Sequence, residues 1–154
     1  MRHPVFIPLF ATLIALSACD RSGEADLEQA LRDINVVDET NLNDVMLTVG
    51  DPDEAVNYFA NANANDPGRI DLQRGLALSL IRARRVTEAV VAWQTVTAHP
   101  DASDNDRLNL ADAYIRGNLW DDAAATLNTI PPTFETFERY RLEAMVADSR
   151  QQWD

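Results

Sequence analysis

A 34-residue period runs through most of this chain and limits its fold more than any other feature. Leu42, Leu76 and Leu110 stand 34 apart, and Ala55, Ala89 and Ala123 repeat the step. An acid precedes each Ala: Glu54, Glu88 and Asp122. A large apolar residue follows four later: Phe59, Trp93 and Leu127. Met46, Leu80 and Tyr114 keep the same interval, as do Ala62, Val96 and Ile130. Six columns in one frame describe a unit that stacks on copies of itself.

Within each unit the apolar spacings are helical. The first half places them at i and i+4, as in Leu76 and Leu80. The second half places them at i, i+4 and i+7, as in Ala89, Trp93 and Val96. Two helices joined by a short turn follow, and the small residues Ala55, Ala77, Ala89, Ala111 and Ala123 let them approach closely. Asp51-Pro52-Asp53-Glu54 reads as an N-cap, a first-turn Pro and a capping-box acid. Ser103 to Asp106 begins another helix with acids in its first turn. Gly117 is expected to be the left-handed residue that ends a helix. Pro67, Pro100 and Pro131-Pro132 close the units. The pattern predicts helices near 41–49, 52–65, 69–83, 87–98, 104–116, 120–129 and 134–150, with a further short one near 25–34. The expected fold class is all-α.

The period and columns resemble the tetratricopeptide repeat, most closely at Leu110-Ala111-Tyr114-Ala123 and at Ala55-Phe59-Ala62-Pro67. Asn43 departs from the small residue usual at its position. The resemblance implies a superhelix of helical hairpins that binds protein partners or peptides on the face formed by its first helices. Repeats are expected at about 36–69, 70–103 and 104–136, with an incomplete fourth at 137–154. The groove-facing positions of that family map here to Asp44, Leu47, Arg74, Leu78, Ile81, Leu108, Asp112, Ile115, Arg141 and Met145. The other reading of Leu47, Ile81 and Ile115 is that they pack helix against helix. Arg82, Arg84 and Arg85 cluster at a hairpin turn and read as a solvated turn or a docking patch. Arg141, Ala144 and Ala147 open the fourth unit, and Trp153-Asp154 repeats Trp120-Asp121. An array running on past this chain is expected; the alternative is a polar cap from Glu143, Asp148, Arg150, Gln151 and Gln152.

The first residues are an address rather than part of the array. Arg2 is followed by an apolar run from Val5 to Leu16 and by the small residues Ser17 and Ala18. Leu16-Ser17-Ala18-Cys19 resembles the lipobox of bacterial lipoproteins. That resemblance implies removal of the signal peptide 1–18, lipidation of Cys19 and a tether over 19–35. Asp20 resembles an inner-membrane retention signal, so the expected anchorage, the periplasmic face of the outer membrane, has the inner membrane as its alternative.

Composition narrows the functional classes. There are 25 acids against 13 bases, all of them Arg, for a net charge of −12. A nucleic-acid partner would need a basic face. With no Lys, neither a Schiff-base nor a phosphate-loop lysine exists. Cys19 is the single Cys, and the His are at 3 and 99. No catalytic set, metal set, cofactor or small-molecule substrate is expected. His99 reads as a polar residue at a helix end, and the acids at 51, 53, 104 and 106 read as caps.

The stretch from Asn41 to Ala55, with Arg69 to Gly75 and Arg139 to Met145, resembles the TadD lipoproteins of alphaproteobacteria, which serve the tight-adherence system that assembles Flp pili. It implies a lipid-anchored periplasmic scaffold for pilus assembly and secretion, with envelope proteins, a secretin among them, as partners. The alternative is a general envelope-assembly scaffold, or a pilotin of another pilus or outer-membrane system.

Overall fold

The computed structural model describes residues 41–150. The signal peptide, Cys19, the tether, the helix expected near 25–34 and the Trp153-Asp154 pair lie outside the described residues.

The described residues form seven helices and no strand, an all-α superhelix of helical hairpins. α1 covers 41–48. The others are α2 (Pro52–Asn65), α3 (Ile70–Arg82), α4 (Val86–Ala98), α5 (Asp104–Arg116), α6 (Trp120–Leu127) and α7 (Phe137–Ser149). From α2 to α6 each helix packs on its successor in the chain, and α7 rests on both α5 and α6. The repeat columns supply the core. Ala55, Ala89 and Ala123 are fully buried, and Phe59, Trp93 and Leu127 pack beside them. Burying a large apolar side chain contributes about 1.5–3 kcal/mol. Trp93 and Phe59 are the largest fully buried side chains.

Caps fix the helix starts. The Asp51 carboxylate accepts from the Asp53 and Glu54 amides at 3.0 and 3.2 Å, with Pro52 in the first turn. Ser103 and Asp106 form a reciprocal capping box. α7 begins at Phe137, three residues later than the pattern predicts. The Thr136 hydroxyl is its cap, accepting from the Arg139 amide at 3.2 Å, and the preceding residues turn through a Phe134 amide bond to the Pro131 carbonyl. α6 stops at Leu127 because Thr129 and Ile130 donate three residues back, tightening the last turn.

Gly117 is not the left-handed residue of its turn. Its φ is −84°, whereas Asn118 has φ 57°. The Leu119 amide donates to the Tyr114 carbonyl at 2.9 Å and the Asn118 amide to Ile115 at 3.0 Å, a Schellman motif with Asn118 as its left-handed member. The preceding hairpin repeats it 34 residues earlier. Arg84 has φ 58°, Arg85 donates to Leu80 at 2.9 Å, and Arg84 donates to Ile81 at 3.1 Å. The glycine lies one position before the residue that the hydrogen-bond pattern turns left-handed.

Asn43 takes a partner where the family has a small residue: the Tyr58 hydroxyl donates to its Oδ1 at 2.9 Å, tying α1 to α2. Arg82 reaches back one hairpin and donates to the Met46 and Gly50 carbonyls, both at 2.8 Å. Those carbonyls end α1, where a cation also suits the helix dipole. Arg85 is held by Glu88 at 2.7 and 2.6 Å, and Arg84 is exposed. His99 follows α4 as its C-cap. Its Nδ1 accepts the Asp101 amide at 3.1 Å, which assigns the ring proton to Nε2, 3.2 Å from the Gly68 carbonyl. His99 thereby joins the turn after α4 to the turn before α3.

Candidate functional site: the face of the first helices

The first helices of successive hairpins, α1, α3, α5 and α7, carry the ten residues that the repeat frame assigns to a groove. Their environments differ. Asp44 is exposed and Leu47 half-buried on α1. On α3, Leu78 is 37% exposed while Ile81 is half-buried against the core. On α5, Leu108 and Ile115 are buried in the core itself, where they pack helix against helix, and Asp112 remains partly accessible. On α7, Met145 is exposed and Arg141 half-buried.

Arg74 is engaged across two hairpins. Its Nε and Nη2 donate to the two Asp106 carboxylate oxygens at 2.8 and 2.7 Å, a bidentate pair. Nη2 also reaches the Asp101 carbonyl at 3.2 Å. Asp106 is nearly sealed from solvent and also accepts from the Ser103 amide and hydroxyl, each at 2.8 Å. Burial pushes its carboxyl up. The Arg74 guanidinium and the Ser103 hydrogen bonds outweigh that, so it stays below the usual carboxylate range. One carboxylate caps α5 and anchors α3 to it.

A second cluster joins α5 to α7. Arg141 donates to Asp112 at 3.2 Å and to Glu138 at 2.6 Å, and Asp112 accepts from Arg116 at 2.5 Å. The Glu138 carboxylate, followed by Asp112, holds the Arg141 guanidinium more firmly protonated than usual. Arg141 Nη1 also lies 3.2 Å from the Met145 sulfur. Arg141, Asp112 and Met145 therefore form one locked group, and Arg74 belongs to another. Asp44 and Leu47 join neither; among the described contacts Asp44 offers its carbonyl to the Thr48 hydroxyl at 2.7 Å.

The repeat frame does not single out Asp106, which reads in sequence as a cap alone. Its distance from Arg74 is 32 residues, two short of the period, which sets position five of one unit beside position three of the next. That offset was the available signal. Arg139 was missed as well: it holds Glu143 at 2.7 Å and the Pro131 carbonyl at 2.6 Å, fastening the loop before α7.

Fixed ion pairs with apolar side chains between them suit the holding of a polypeptide. Among the described residues no group of three or more His, Cys, Asp or Glu could hold a metal ion. No described helix is long and apolar enough to cross a membrane.

Comparison with known proteins agrees with this geometry. No curated protein and no solved structure gives a significant match. Residues 45–105 match the tetratricopeptide repeat family model, running from the second half of α1 through α4 to the first two residues of α5. Arrays of that repeat are typically non-enzymatic scaffolds for protein–protein interaction, and the all-α superhelix of helical hairpins described here is consistent with that architecture.

Proposed function

We propose that this chain is a lipid-anchored periplasmic scaffold that holds protein partners on the face of its first helices while Flp pili are assembled by the tight-adherence system. The observation that carries the binding role is the continuity of α3, α5 and α7. Arg74–Asp106 and Arg141–Asp112 fix their mutual placement, and Leu78 and Met145 stand exposed beside the locked charges. An extended or helical segment with apolar anchors fits such a face. The lipobox at Leu16 to Cys19 supports anchorage, and the segments that resemble TadD support the pilus role. A secretin is the proposed partner and the outer membrane the proposed site. Asp20 favours the inner membrane as the second reading of location.

Two measurements test this. Mass spectrometry of the mature N-terminal peptide is expected to find Cys19 acylated; an unmodified Cys19 removes the anchor. Surface pili are then counted by electron microscopy in a strain lacking the chain and in one carrying Leu78→Glu/Met145→Glu. Loss of pili in both supports the reading. Normal piliation without the chain would move it to the general envelope scaffold or to a pilotin of another system.

A further inference from the structure

The corners between successive hairpins are built from the same columns but closed differently. At each corner the second helix of one hairpin meets the first helix of the next. Between α4 and α5 the corner is shut: Gln94 Nε2 donates to the Tyr114 hydroxyl at 2.7 Å across it. One repeat earlier the same two positions hold Ala60 and Leu80. Neither can bridge. What remains is a groove of about 450 Å³ whose walls are α2 and α4 and whose floor is α3. Val56, Ala60, Leu76, Leu80, Val91 and Ala92 supply most of its lining. Val91 stands 59% exposed at the lip, a β-branched apolar residue left facing water.

The polar lip is acidic on balance. Arg85 and Glu88 line it and are paired with each other, and Asp53 acts on the same guanidinium from α2. Two acids thus face one base, on a chain with a net charge of −12. A visitor with basic flanks is drawn to this lip, and an acidic one is repelled.

We infer that the groove between α2 and α4 is a second docking site, separate from the first-helix face, for an amphipathic helix that inserts one large apolar side chain between Ala60 and Leu80 and carries Lys or Arg beside it. The inserted side chain takes the space that Tyr114 and Gln94 close at the next corner. The volume lies within the range of about 300–1,000 Å³ that binding pockets occupy. Helix-in-groove docking needs an apolar floor between two walls, and α2, α3 and α4 form one.

The test is fluorescence anisotropy with the purified full chain and a labelled synthetic helix of about 14 residues, with leucines at i, i+4 and i+7 and lysines elsewhere. Ala60→Gln/Leu80→Tyr installs the pair that shuts the neighbouring corner. Val91→Glu alters an exposed residue, so the fold survives it, and it adds negative charge that would strengthen any merely ionic attraction. Both variants are expected to bind the peptide at least roughly tenfold more weakly than the unaltered chain, with circular dichroism unchanged. A peptide with glutamates in place of the lysines is expected to bind more weakly still. Equal binding by the wild-type, filled and Val91→Glu proteins would overturn the site. Equal binding of the glutamate peptide would overturn the charge assignment. Loss of binding in Leu78→Glu alone would place the peptide on the first-helix face, ending this proposal while leaving the scaffold reading intact.

Discussion

Arg74 of α3 and Asp106 of α5 form a bidentate ion pair between neighbouring hairpins, with the carboxylate almost wholly buried and the guanidinium about one-third exposed. Asp106 is also the capping-box acid of α5. The start of one helix and the stacking of two hairpins therefore depend on one side chain. A simple rim charge would recognise a partner and leave stability alone. Arg74 does not fit that description.

Arg74→Ala is expected to lower stability by about 1–3 kcal/mol, because the buried Asp106 keeps its Ser103 partners but loses its guanidinium. Arg74→Glu is expected to cost more, since it sets a second carboxylate against the first. Thermal unfolding followed by circular dichroism measures both. Melting of Arg74→Glu at the wild-type temperature would show that the pair contributes nothing to the fold.

Acid should release the same contact. Asp106 has a folded pKa below its ordinary value of 3.8, so the unfolded chain takes up its proton first. Its stabilisation is therefore complete above that ordinary value and fades as pH falls through the folded pKa. Unfolding free energies measured from pH 6 down to pH 2 are expected to fall more gently in Asp106→Asn than in wild type over the acid end. Parallel slopes would remove Asp106 as a source of the acid sensitivity.

Gly75→Ala should destabilise the array, against the usual trend. In a helix interior Ala is favoured over Gly by roughly 1 kcal/mol. Here a Cβ would fall 2.3 Å from Cε1 and 2.4 Å from Cδ1 of Phe59, a ring that is itself fully buried and set edge-on to Tyr58. Overpacking of this kind costs about 1–3 kcal/mol. Gly75→Ala/Phe59→Leu is expected to recover part of the loss, and the double-mutant cycle reads the coupling.

Arg84→Gly should be neutral or stabilising. Arg84 holds φ 58°, where an L side chain costs about 1–2 kcal/mol and glycine does not. Glycine returns part of that through its greater freedom in the unfolded chain. The same change at Asn118 is expected to yield less, because Asn tolerates the left-handed region. Chemical denaturation of the two variants gives the comparison; a clear loss in Arg84→Gly would mean that its side chain makes a contact worth more than the strain.

The helices and their pairing were legible in the residues themselves. Ala89, Trp93 and Val96 announce a helix because side chains three and four apart share one face, and the core buries that stripe. Asp51 and Ser103 announce helix starts because free amides need acceptors there. These are short-range requirements, written within one turn of the chain. The groove residues were legible only as positions. Leu108 and Ile115 occupy groove columns, yet the packing of α4, α5 and α7 buries them, while Leu78 and Met145 remain exposed.

The 34-residue period by itself determined that the chain repeats a helical hairpin and which columns meet inside each one. The tertiary structure alone decided what each column became. Leu42, Leu76 and Leu110 are one residue type in one frame, yet they are 45% exposed, half-buried and buried, in that order. Ala60 and Leu80 leave open the corner that Gln94 and Tyr114 close. Arg74 found Asp106 across the boundary between two repeats. Local spacing sets which way a side chain points along its own helix; burial, ion pairing and open space depend on what the next hairpin places opposite, and that exists only once the hairpins stack.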